Sequence, residues 1–140
     1  MTKIIFLAVL LMSSFGGFSQ TTDTNLNNSN DTTIYTSVDS VAVFPGGRLI
    51  WNRFVETNMN AGVGTDNGAK KGVYKVVIKF TVTKDGVLKD FVPVTKYGYG
   101  FEEEVIRVLK LSPNWIPAKK NGVNVNSKVD QPMTFVISYG

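Results

Sequence analysis

The chain of 140 residues contains no cysteine and no histidine. Without cysteine there is no disulfide, no thiolate nucleophile and no thiolate metal site. Without histidine the commonest general base and the commonest zinc ligand are also missing. Any chemistry would fall to carboxylates, lysine, tyrosine, serine or threonine. Glu102, Glu103 and Glu104 are the densest acidic group, but neighbours on a helix point in different directions and form no facing carboxylate pair. A long hydrophobic run is lacking too: Ile4 to Met12 falls short of the roughly 20 residues that span a bilayer. Two motif-like stretches fail on inspection. "DTNLNN", from Asp23, has Asn28 where a calcium loop needs glycine and Ile34 where it needs glutamate. "GVGTDNG" opens no helix and lacks the Gly-Lys-Ser/Thr ending of a phosphate loop. The expectation is a non-enzyme with no cofactor and no metal.

What is present suits a folded domain. Hydrophobic residues make up 43% and charged residues 19%, enough for a core in one domain of ordinary size. The net charge of +4 suits an anionic partner surface without demanding nucleic acid. Lys3, the apolar run Ile4 to Met12 and the small residues Gly17 and Ser19 read as an export signal, with cleavage before Gln20. Residues 1–19 are thus expected to be a cleaved signal peptide, and no cysteine is available for a lipid anchor. Thr21 to Ser37 is polar and of low complexity, so 20–37 reads as a disordered tail. The domain is expected over 38–140, with nucleic acid excluded as a partner for an exported chain.

Phe44 to Gly47 forms a turn before "RLIWNRFVETN", which places Ile50, Trp51, Phe54 and Val55 at helical spacing on one side. "VYKVVIKFTVT" alternates as a half-buried strand, with Tyr74, Val76, Ile78, Phe80 and Val82 on one face. Lys84 to Gly86 is a hairpin loop with Gly86 at the left-handed position, and "VLKDFVPVT" returns as a second strand. Phe101, Val105, Val108 and Leu109 mark a second helix. Its three glutamates in the first turn and Lys110 in the last match the helix dipole, and Pro113 ends it. Asn121-Gly122 supplies a tight turn, and "QPMTFVISY" reads as a third strand.

This order predicts an α+β fold in two layers: a three-stranded antiparallel sheet of order 2-1-3 with two helices on one face. The second strand is expected at an edge because it carries Pro93, which lacks an N–H. The third strand is then the other edge. With Pro132 placed only at its beginning, Met133 to Tyr139 has neither proline nor charge. Open edges are normally blunted, so strand addition by a partner is one expected use, and cover by the N-terminal tail or a loop is the alternative.

The same residues carry a family resemblance. "GVYKVVIKFTVTKDGVLKDFVPV", "GYGFEEEVIRVLKLSPNWIPAKKNGVNV" and "QPMTFVISY" resemble the C-terminal domain of TonB-type energy transducers, and "FPGG" resembles versions of it in Bacteroidetes-type bacteria. The resemblance covers about Asp39 to Tyr139. It implies a periplasmic, non-enzymatic binding module. The N-terminal box peptide of an outer-membrane transporter would add beside the last strand, at Met133, Thr134, Phe135, Val136, Ile137, Ser138 and Tyr139. Lys119 and Lys120 are expected accessory contacts, and a second copy of the chain could pair through the same strand. Typical transducers carry a retained anchor, a long proline-rich spacer and a Tyr-Pro pair before the first strand. Here the spacer is short and proline-free, and Asn58 to Gly72 is glycine-rich, which favours binding over energy transduction. The alternative expectation is an envelope module that binds peptidoglycan or a glycan through Tyr97, Tyr99 and the lysines.

Overall fold

The computed structural model describes residues 31–139. The expected signal peptide and the part of the expected tail up to Asn30 lie outside the described residues. The elements run β1 (Ile34–Tyr35), α1 (Gly47–Asn58), α2 (Val63–Asp66), β2 (Gly72–Val82), β3 (Leu88–Pro93), α3 (Phe101–Leu111), β4 (Ala118–Lys120) and β5 (Val123–Ile137). No helix among the described residues is long and apolar enough to cross a membrane.

The sheet is not three-stranded and not all antiparallel. It has five strands in the order β1-β5-β2-β3, with β4 paired to β5, and β1 joins β5 in parallel. The expected three strands correspond to β2, β3 and the last part of β5. The difference has two causes. First, Asn121 and Gly122, at φ 49° and 75°, close a two-residue turn that folds β4 back on Val123 to Val125. Backbone with positive φ at both positions matches the twist of a hairpin, so "VNVNSKVD" is strand and not a turn exit. Second, Ile34–Tyr35, inside the stretch read as a structureless tail, pairs with Asn126 and Ser127.

Apolar alternation explains why β2 is central. Val76, Ile78, Phe80 and Val82 are fully buried, while Val73, Lys75 and Lys79 are exposed on the other face. Packed over that buried face, α3 contributes Phe101, Val105, Val108 and Leu109. β3 ends the sheet on one side, and Pro93 stands opposite Ile78. The β2–β3 loop has the expected form: Thr83 N–H donates to Val87 O at 2.9 Å, Gly86 N–H donates to Thr83 O at 2.8 Å, and Gly86 has φ 85°.

Aromatic rings close the end of the core. Trp115 meets Phe80, Trp51 and Phe44 with centroids 5.4, 5.6 and 6.1 Å apart. Of the helical stripe on α1, Trp51 is buried, Phe54 and Val55 are half-buried, and Ile50 is exposed. The helix touches the core through one corner and does not lie flat on it.

Candidate functional site

Strands expose backbone groups by a strict alternation: a residue aims N–H and C=O at one neighbour, and the next residue aims them at the other. Val77 fixes the phase for β2. Its N–H donates to Thr95 Oγ1 at 3.1 Å, and its carbonyl accepts from Val94 N–H at 2.9 Å, both on the β3 side. Val76 and Ile78 therefore face β5, where they oppose Met133 and Gln131 in an unbroken register from Gly72↔Ile137 to Val82↔Ser127. It follows that Met133, Phe135 and Ile137 bond to β2. Lys128, Asp130, Thr134 and Val136 aim their backbone groups the other way. β1 takes that side only at Asn126–Ser127, so from Lys128 to Ile137 the edge has no strand beside it among the described residues.

Pro132 lies inside β5, not at its beginning as the sequence pattern implied. It occupies an outward-facing position, so the N–H it lacks is one of the edge donors and not a bond to β2. Its carbonyl accepts the side-chain amide of Gln131 at 3.0 Å. Pro132 thus presents no donor, and its acceptor is already engaged. Asp130 is salt-bridged across the outer face to Lys79 at 3.7 Å. Beyond Pro132, Thr134 and Val136 present both groups, with exposed side chains.

Among the expected site residues, Met133, Phe135 and Ile137 are buried with side chains in the core, and Thr134 and Val136 form the outward edge. Ser138 and Tyr139 follow the end of β5, and the Tyr139 hydroxyl donates to Ala69 O at 3.2 Å. Lys119 and Lys120 are not brought to this edge. They sit on β4 opposite Asn124 and Val123, about 30 Å along the strand from Met133 at 3.3–3.4 Å per residue.

The sequence reading missed the wall that faces the edge. α1 stands alongside β5 and leaves a groove of ≈ 310 Å³ between Trp51, Val55, Glu56 and Met59 on one side and Pro132 to Val136 on the other. A second groove of ≈ 300 Å³, beyond Trp51, lies beside Val129 and Gln131 and includes Arg48. The helix is fixed at both ends. The rings of Phe44 and Trp115 hold Trp51. At the other end, Glu104 Oε1 accepts Asn60 N–H at 2.7 Å, and Arg107 bridges Glu104 and the Asn58 carbonyl. The hydrogen bond from Arg107, joined by that from Asn60, holds the Glu104 carboxyl below its ordinary range, against the opposing effect of burial. The outward stripe on α1 did carry a signal, since Val55 and Met59 are apolar positions that a fully packed helix would have buried.

Residues 71–137 match the family described as Gram-negative bacterial TonB protein C-terminal. This stretch belongs to the TonB C-terminal family. The TonB C-terminal match contains β2, β3, α3, β4 and β5 and leaves out β1, α1 and α2. The TonB C-terminal family is a periplasmic protein-interaction family, not an enzyme family, and is tied to TonB-dependent transport across the outer membrane. No curated protein matches the chain, and no solved structure matches it.

Proposed function

We propose that the chain is an exported periplasmic module that takes the N-terminal box peptide of an outer-membrane transporter as an added strand on β5. The observation that carries this reading is the backbone of Thr134 and Val136, which faces away from β2 with no strand beside it among the described residues. An extended peptide satisfies these groups, and each bond contributes about 1 kcal/mol net. The site involves Met133 to Tyr139 unequally: the even positions bond the guest, and the odd positions hold the edge in place. A second copy of the chain competes for the same groups, although the silent position at Pro132 interrupts a long ladder between two β5 strands.

The test is an NMR titration with N-terminal peptides of the same bacterium's transporters, on the wild type and on Val136→Pro. Proline at 136 removes an outward donor and no bond to β2. Shifts centred on the Thr134 and Val136 amides, and their loss in a folded Val136→Pro chain, are the expected result. Undiminished binding by that variant refutes strand addition.

A specific observation favours one other reading, glycan binding. Tyr97 and Tyr99 are 43% and 42% exposed and flank Tyr74, with centroids at 5.4 and 6.5 Å. Buried Glu102 fixes their loop by accepting Tyr97 N–H at 2.8 Å and Gly98 N–H at 3.2 Å. Sedimentation with purified cell wall, abolished by Tyr97→Ala and Tyr99→Ala, would move this reading to the front.

A further inference from the structure

Resting on the strand-addition reading, we propose that the α1 wall makes the β5 edge selective for both sequence and direction. The partner segment carries apolar residues at alternate positions, a basic residue toward Glu56 and an acidic residue toward Arg48.

A strand laid against Thr134 and Val136 continues the sheet, so its side chains alternate between the two faces. Those on the inner face have one place to go, the space between α1 and β5. That space is divided by Trp51 into the two grooves described above. Val55, Met59, Met133 and Phe135 give the first groove an apolar strip, beside the polar Asn52, Glu56 and Thr134. Its ≈ 310 Å³ is far more than the roughly 30 Å³ share of one water, so it is sized for side chains. A valine that reaches this strip buries its methyl groups against it, and a serine in the same place buries less apolar surface.

The direction comes from charge. Among the described residues, Glu56 is the only charged one lining the first groove, and Arg48 the only one lining the second. Neither side chain makes a hydrogen bond or ion pair with the described residues. They lie near opposite ends of α1, so the wall is acidic beside Pro132 to Val136 and basic beside Val129 and Gln131. A guest strand is thereby told which way to run. Its backbone alone would not specify this, because the edge groups can bond a strand in either direction.

The test uses synthetic nine-residue peptides, capped at both ends, with the whole chain. One pair carries valine at alternate positions, with an aspartate and a lysine four residues apart on the valine face, matching the roughly 12 Å between Arg48 and Glu56 along α1, in the two possible orders. A second pair carries serine in place of valine. The expected result is at least tenfold tighter binding of the valine peptides and a preference of about fivefold for one order, the scale of two exposed ion pairs. In the double variant Arg48→Glu and Glu56→Arg, both at exposed positions, the preferred order inverts. Equal binding of valine and serine peptides, with shifts at Thr134 and Val136, overturns the selective wall and leaves strand addition standing. An order preference that does not invert overturns the charge assignment. No binding by a chain that still takes transporter peptides overturns the groove inference alone. No binding of either kind overturns strand addition and this inference with it.

Discussion

Replacing Gly86 by alanine tests how the β2–β3 hairpin positions the aromatic end of the core. Gly86 has φ 85°, and a Cβ added there would lie 2.1 Å from the Trp115 carbonyl oxygen. That oxygen belongs to the backbone and cannot swing aside. The Gly86 carbonyl also accepts Trp115 N–H at 2.8 Å, so the loop and the Trp115 segment are pinned together. The left-handed backbone costs an L-residue about 1–2 kcal/mol. Separating the two segments removes a hydrogen bond of about 1 kcal/mol and loosens the Trp115 ring from Phe80 and Trp51. The expected loss is about 3 kcal/mol, a large share of the roughly 5–15 kcal/mol that holds a domain together. Gly122→Ala is the internal control: φ is 75°, but a Cβ there meets nothing within 4 Å, so it carries the backbone cost alone, about 1–2 kcal/mol. Thermal melts followed by circular dichroism should separate the two variants by several degrees, at roughly 4 °C per kcal/mol for a domain of this size. If Gly86→Ala melts no lower than Gly122→Ala, the close approach to Trp115 does not constrain the fold and the reasoning fails.

Other outcomes follow from the same geometry. Phe135→Pro removes an N–H bonded to β2 and a buried ring, and should lower denaturant stability by about 3–5 kcal/mol, whereas Val136→Pro should cost much less. A lowered carboxyl stabilises the fold above its unfolded value and loses that contribution as pH falls through the folded value. The Glu104 tie between α1 and α3 should therefore weaken below the ordinary 4.5, and a pH titration of unfolding should show an acid loss that Glu104→Gln lacks. Lys119→Ala and Lys120→Ala should leave peptide affinity within about twofold in a fluorescence titration, because both lie at the far end of β5. Glu102→Ala frees two backbone N–H groups and should raise hydrogen exchange at Tyr97 and Gly98, with a stability loss of about 1–3 kcal/mol.

Strict periodicity and distinctive turn chemistry made much of the fold legible. The alternation of Val76, Ile78, Phe80 and Val82 identified β2, Gly86 identified its loop, and Phe101 to Leu109 identified α3. The two-strand pairing at β1 was not legible because Ile34 and Tyr35 are a lone apolar pair in a polar stretch, and only the neighbouring edge of β5 gives them a partner. β5 was cut short because Val123 to Asp130 mixes valine with asparagine, lysine and aspartate, a pattern that also suits a loop. Placing Pro132 at a strand start followed from that cut. At the site, sequence period located the residues but not their division of labour. Which backbone groups face outward depends on the phase set by Val77 and Thr95, a contact between residues far apart in the sequence. The α1 wall was hidden for a related reason, since helical spacing marks an apolar face without saying what it stands beside.

Pro93 and Pro132 have a shared consequence for how the protein behaves at high concentration. Each interrupts an outer edge of the sheet at a position where an unbroken row of donors would otherwise serve as a template. Fibril growth needs long, continuous ladders of identical strands, and neither edge can supply one. The protein can keep a strip of bare backbone available to a short guest while remaining a poor seed for its own aggregation.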